Sequence, residues 1–225
     1  MGTLGEFELD QIYTGDAREL AKGIPDASVD LILCDPVYWE LWQYEWLGEI
    51  AERVLRQGAS VIAQVGSEYR YEAETEMRKS SLKPLPLLAQ VYDMAFRRMF
   101  YPRVMQGWKP HLWFCNGEQK DRQGGWLFDR FHSHGFPHKN NHQWEDNPAF
   151  FLTIVQHLTN HDSIVLDPFT GSGTVPAVCK MLLRHYLAFE IDPKTADIAR
   201  RRVAETQPPL FVLEHQQAEL FGGAS

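Results

Sequence analysis

Two stretches of the chain carry residue types that could act together on a substrate. In "LILCDPVYWE" (Leu31 to Glu40) an apolar run ends in Asp35, Pro36, Val37, Tyr38 and Trp39. A plain turn calls for the acid and the proline but not for two aromatic rings. The Asp35 side chain and the Pro36 carbonyl are acceptors that could hold an exocyclic amino group, and Tyr38 offers a flat face to a stacked base. In "VLDPFTGSGT" (Val165 to Thr174), Gly171 and Gly173 permit backbone angles and close approaches that a Cβ would block. The loop lacks the Lys of a phosphate-binding P-loop and the full three-glycine dinucleotide pattern, so a polyphosphate ligand is poorly supported. At the end of the following strand pattern, Glu190 stands where an acid can accept hydrogen bonds from both ribose hydroxyls. Two glycines alone would make no more than a tight turn. It is the order strand, glycine loop, helix, strand, acid that argues for a nucleoside site, and an amino-group acceptor beside a nucleoside cofactor points to methyl transfer.

These residues need a frame that brings them together. "QIYTGD" reads as a short strand ending near Gly15, and "VDLILC" is apolar enough for a strand buried on both faces of a parallel sheet. Trp46, Leu47, Ile50, Ala51, Val54 and Leu55 recur at helical spacing, and "GASVIAQVG" follows as a strand, giving a β-α-β alternation. Ser67 to Lys83 is polar without a clear period and reads as a mobile loop. Leu87, Leu88, Val91, Tyr92, Ala95, Phe96 and Met99 predict a helix, "KPHLWFCNG" a strand, and Glu118 to Pro148 a loop. The C-terminal third is the most regular. A helix through Phe150 and Leu158 is followed by strand "DSIVLD", the glycine loop, helix "VPAVCKMLL" and strand "HYLAFEID". A last helix is capped by Asp192, with Pro193 at its first position. The reading is an α/β fold with a doubly wound, mostly parallel sheet. Ligands bind such sheets at the carboxyl ends of the strands, so "DPVY" and "DPFTGSGT" should share one cleft.

Length and composition fit a single domain over residues 1–225, with 44% hydrophobic residues to build one core. No apolar run approaches the roughly 20 residues of a membrane span, and the N-terminus lacks the basic and apolar regions of a signal peptide. The expectation is a cytoplasmic protein with no membrane partner. Cys34, Cys115 and Cys179 are far apart in apolar contexts, which argues for buried free thiols. His132, His134, His138 and His142 have no Cys or carboxylate at matching spacing, so no metal is assigned. The formal charge of −8 is uneven: from Arg97 to His142 eight Lys/Arg face three acids, a local +5. Trp108, Trp126, Phe128, Phe131 and Trp144 in or just beyond that segment add surfaces for stacking, whereas Trp113 and Phe114, inside a strand, read as core. "ARRRV" near the end reads as a solvated helix face.

With these motifs in hand, the sequence resembles the amino-group DNA methyltransferases, which use S-adenosylmethionine to modify N6 of adenine or N4 of cytosine. "DPVY" stands where that family has Asp/Asn/Ser-Pro-Pro-aromatic, and "DPFTGSGT" matches its cofactor loop. The catalytic tetrapeptide precedes the cofactor loop, the order of the circularly permuted class called beta. The resemblance runs from "YTGDARELAKGIPDASVDLILCDPVY" through "WKPHLWF" to "ARRRV". It implies Asp35, Pro36 and Tyr38 as catalytic residues acting on a flipped base. It also implies S-adenosylmethionine held by Asp16, Asp167, Phe169, Gly171, Gly173, Thr174 and Glu190, with the segment near Asn147 at its methionine end. The basic stretch falls where the class places its target recognition region, around 97–148, with Arg122, Arg130 and Lys139 as DNA contacts. A short recognition region would favour a homodimer. Asp at the first tetrapeptide position leans toward adenine, with cytosine N4 as the alternative. The departure is Val37, which stands in place of the second proline and leaves open a catalytically silent DNA-binding relative.

Overall fold

The computed structural model describes residues 2–92, 97–99, 103–119, 126–133 and 148–207. In chain order the elements that build the site are β1 (Gln11–Thr14), α1 (Ala17–Leu20), β2 (Val29–Cys34), α2 (Leu41–Val54), β3 (Leu55–Gln64) and α3 (Arg70–Met77). They continue with β4 (Leu88–Tyr92), β5 (Trp108–Cys115), β6 (Arg130–Ser133), α4 (Ala149–Leu158), β7 (Ile164–Asp167), α5 (Thr174–Met181), β8 (His185–Glu190) and α6 (Pro193–Glu205). Eight strands form one sheet in the order β6-β4-β5-β3-β2-β7-β8-β1, and a ninth, Lys83–Pro84, pairs with β5. Only β5 runs against the rest: it is antiparallel to β3 and β4, while every other neighbouring pair is parallel.

The sheet is covered on both faces, as its apolar strands require. Along β2, Ile32 and Cys34 face a core that takes in Tyr44, Leu47, Ala51 and Val54 of α2 and Ala73 and Met77 of α3. Leu31 and Leu33 point to the other core, with Phe150, Phe151 and Ile154 of α4, Val178 of α5 and Ala199 of α6. The crossover from β2 through α2 leads to β3 on one side of β2, and the crossover from β7 through α5 leads to β8 on the other side. The chain direction therefore switches between β2 and β7, where an open α/β sheet leaves a crevice at its carboxyl edge.

Three expectations are corrected here. The polar stretch after Ser67 contains a helix, α3, whose two buried positions, Ala73 and Met77, are too few to give a readable period and gain their burial from α2. The segment from Leu87 to Met99 does not form the expected helix; Leu88–Tyr92 and Arg97–Met99 are strands, and residues 93–96 lie outside the described residues. Pairing of β4 with β5 on one side and β6 on the other satisfies its backbone, and that tertiary pairing overrides local periodicity. β6 itself lies within the stretch read as loop. The three cysteines are free and buried, Trp113 and Phe114 are core, and among the described residues no helix is long and apolar enough to cross a membrane.

Candidate active site at the sheet switch point

Asp35 follows the last residue of β2, and Asp167 is the last residue of β7, its neighbour in the sheet. Both line a cleft of about 320 Å³ with Phe169, Gly171, Thr174, Phe151 of α4 and Ile198 of α6. The structure therefore brings Asp35 of the tetrapeptide and the glycine loop to one crevice. Asp35 is exposed, Pro36 is buried and Tyr38 is half-buried. The Tyr38 ring lies against Gly66, where an added Cβ would come 3.0 Å from Cδ2, and its hydroxyl accepts a hydrogen bond from Nε2 of the buried Gln64. The Val37 N–H donates to Oε1 of Gln43, in the first turn of α2, at 2.8 Å.

The glycine loop is shaped by two different demands. Gly173 has φ +83°, and a Cβ there would sit 2.9 Å from Ala199 Cβ and 3.0 Å from its Cα, so this glycine lets α6 pack against the start of α5. Gly171 has φ +50°, and a Cβ there would meet nothing within 4 Å. It leaves open space beside the cleft. Gly173→Ala should accordingly cost roughly 2–4 kcal/mol of stability, from left-handed strain plus overpacking. Gly171→Ala should cost only about 1 kcal/mol. Thermal melts of the two variants check this, and equal losses would contradict the assignment.

Glu190 ends β8 and accepts from the Gly171 N–H and the Asp192 N–H, both at 2.9 Å. Its carboxylate thus pins the glycine loop to the start of α6. Asp16 caps α1 through the Arg18 N–H, and the Arg18 guanidinium holds its carboxyl below the usual value. The Gly15 N–H donates to the Glu190 carbonyl, so Asp16 lies just past the end of the strand that pairs with β8 at Glu190. Phe169 is braced edge-on by Trp46 of α2, ring centres 5.7 Å apart. The Thr174 hydroxyl accepts from Arg202 and the Ile12 carbonyl from Arg200, so two arginines of "ARRRV" also tie α6 to its surroundings, while Arg200 and Arg201 remain exposed, as a solvated helix face requires.

Burial pushes the Asp167 carboxyl up to about 7, with the Glu190 and Asp35 carboxylates adding to it. An aspartate whose folded-state value is raised binds its proton more readily folded than unfolded, so between roughly pH 4 and 7 its contribution to stability falls as pH rises. Asp167→Asn removes that slope. The variant should melt above the parent at pH 8, with the gap closing toward pH 4; a gap independent of pH would refute the assignment. The same three carboxylates make the cleft suited to a cationic ligand.

Among the predicted DNA contacts, Arg130 is exposed on β6, near exposed Trp126 and Phe128. Arg122 and Lys139 lie outside the described residues, as do Asn147 and three of the four histidines, His134, His138 and His142. Among the described residues no cluster of His, Cys, Asp or Glu could hold a metal. Sequence reasoning missed Gln43, Gln64, Gly66, Trp46 and Ile198. Only Phe151 had a signal, its place just after the segment assigned to the cofactor.

The parallel sheet, the switch-point crevice and the glycine loop with its strand-end acid define the α/β fold of S-adenosylmethionine-dependent methyltransferases. A family described as DNA methylase matches residues 104–201. The chain is 28% identical to the type II methyltransferase M.BamHI of Bacillus amyloliquefaciens over 82% of its own length, and it spans 55% of that relative. Its fold is shared with the M1.HpyAVI–SAM complex (TM-score 0.72, 23% identity, 86% of this chain and 98% of that one). It is also shared with the cytosine-N4-specific PvuII DNA methyltransferase (TM-score 0.73, 16% identity, 95% and 93%). The chain is thus similar in sequence to type II DNA methyltransferases and shares the fold of S-adenosylmethionine-dependent methyltransferases.

Proposed function

We propose that this chain binds S-adenosylmethionine and transfers its methyl group to N6 of adenine in DNA. The observation that carries the reading is that Asp35 of "DPVY" and the loop "DPFTGSGT" line one cleft between β2 and β7. The residues fit the cofactor: Gly171 leaves open space, Glu190 has lone pairs for ribose hydroxyls beyond the two N–H groups it holds, and the carboxylates favour its positive charge. Phe169 and Ile198 supply apolar walls. When bound, the cofactor supplies a sulfonium methyl, which leaves with its bond broken toward sulfur as the new N–C bond forms.

The chain's own part is positioning. An aromatic amino group is a poor nucleophile because its lone pair is delocalised into the ring. Hydrogen bonds from it to Asp35 and to the Pro36 carbonyl localise that pair, and Asp35 takes the proton released. A base paired in a duplex must be flipped to reach these groups, with Tyr38 replacing part of the stacking it loses. Arg122, Arg130 and Lys139 contact phosphates in this reading. Neutralising all three should flatten the dependence of log affinity on log salt by about 2–3, measured by titration of labelled duplex DNA. An unchanged slope would move the DNA-binding face elsewhere.

Cytosine N4 is the second reading, favoured by the shared fold with the cytosine-N4-specific PvuII methyltransferase. Incubation with DNA and cofactor, digestion to nucleosides and mass analysis decide between them. N6-methyladenine is expected, N4-methylcytosine would reassign the base, and neither product would leave a silent binding module.

A further inference from the structure

The residue that departs from the family tetrapeptide is also the one with an unexpected partner. Val37 keeps a backbone N–H that proline would lack, and that N–H donates to Gln43 Oε1 at 2.8 Å. The orientation of the amide is forced, since only its oxygen can accept. Gln43 is 8% exposed, in the first turn of α2, on a helix anchored by buried Tyr44, Leu47 and Ala51. Its acceptor is therefore fixed to the core rather than to a mobile surface.

The Val37 nitrogen and the Pro36 carbonyl belong to one planar peptide group and point to opposite sides of it. Holding the N–H on Gln43 sets the direction of the carbonyl. An amide that donates also becomes a better acceptor, because hydrogen bonds in series polarise one another. We propose that Gln43 is a positioning residue for methyl transfer: it aims and polarises the Pro36 carbonyl acceptor, doing through a hydrogen bond what a second proline would do through its ring. This rests on the methyltransferase reading above. It makes Val37 and Gln43 one coupled device, and it makes the tetrapeptide of this chain competent without the second proline.

The test is a double-substitution cycle read by single-turnover transfer of labelled methyl groups to unmethylated DNA, with Asp35→Ala as the blank. Gln43→Met removes the acceptor at similar volume and should slow transfer by ~10- to ~100-fold while leaving cofactor affinity and the KM for DNA near native. In a Val37→Pro background there is no N–H to hold, so adding Gln43→Met should cost no further rate, and the double variant should exceed Gln43→Met alone. Equal losses from Gln43→Met in both backgrounds, or a native rate for Gln43→Met, would overturn the proposal while leaving the enzyme reading intact. Native protein no better than the blank would overturn the enzyme reading and this proposal with it. Should Gln43→Met fail to fold, amide hydrogen exchange in the native chain decides: slow exchange at Val37 supports the clamp, and exchange at the rate of an open loop refutes it.

Discussion

Asp35→Ala is expected to reduce methyl transfer by ~10²- to ~10³-fold or more, the loss typical when one aimed polar group is removed from a reacting centre. The expected cofactor affinity stays within a few-fold of native. Asp35 projects from the end of β2 into the cleft and is exposed, so its removal opens no hole in either core. One consequence for the cofactor side is a small one: Asp35 is among the carboxylates that hold the Asp167 carboxyl up, and losing it eases that repulsion. The measurement is single-turnover transfer at saturating cofactor, beside a cofactor titration. Parallel loss of transfer and cofactor binding would mean that Asp35 serves the cofactor and not the target amino group.

Glu190→Ala should give the mirror image. Cofactor affinity should weaken by roughly a hundredfold, the equivalent of losing two hydrogen bonds to a charged acceptor. Transfer at saturating cofactor should stay within about tenfold of native, because the proposed target acceptors just after β2 are untouched. Part of the loss is indirect. Glu190 holds the Gly171 N–H and the Asp192 N–H, so the variant frees the glycine loop at the same time as it removes the proposed ribose acceptor. Glu190→Gln separates the two, since its single amide oxygen can keep only part of the set; an intermediate affinity is expected. Titration calorimetry reads all three proteins, and native affinity in Glu190→Ala would remove Glu190 from the cofactor site.

Local chemistry could be read from the chain alone. Asp35, Pro36 and Tyr38 are nearly contiguous, Gly171 and Gly173 are two apart, and Asp192 with Pro193 marks its helix start, so each signal lies within a few residues. The apolar runs of β2, β7 and β8 were legible for the same reason: a strand buried on both faces leaves no polar positions to confuse the pattern. Their alternation with helices was enough to place "DPVY" and "DPFTGSGT" at one sheet edge. Everything else depended on contacts between elements distant in sequence. Leu88 to Tyr92 carries apolar residues that suit a helix, and it is a strand because β5 and β6 offer it partners on both sides. Gly173, expected to make room for a ligand, makes room for Ala199 of α6, a residue that no local pattern connects to it. The partner of Val37 is a glutamine of ordinary surroundings, and Tyr38 is held by Gln64 from the next strand. Periodicity reports which face of an element is apolar, whereas hydrogen bonds between side chains and distant backbone depend on how elements are set against one another, and that appears only once the sheet is assembled.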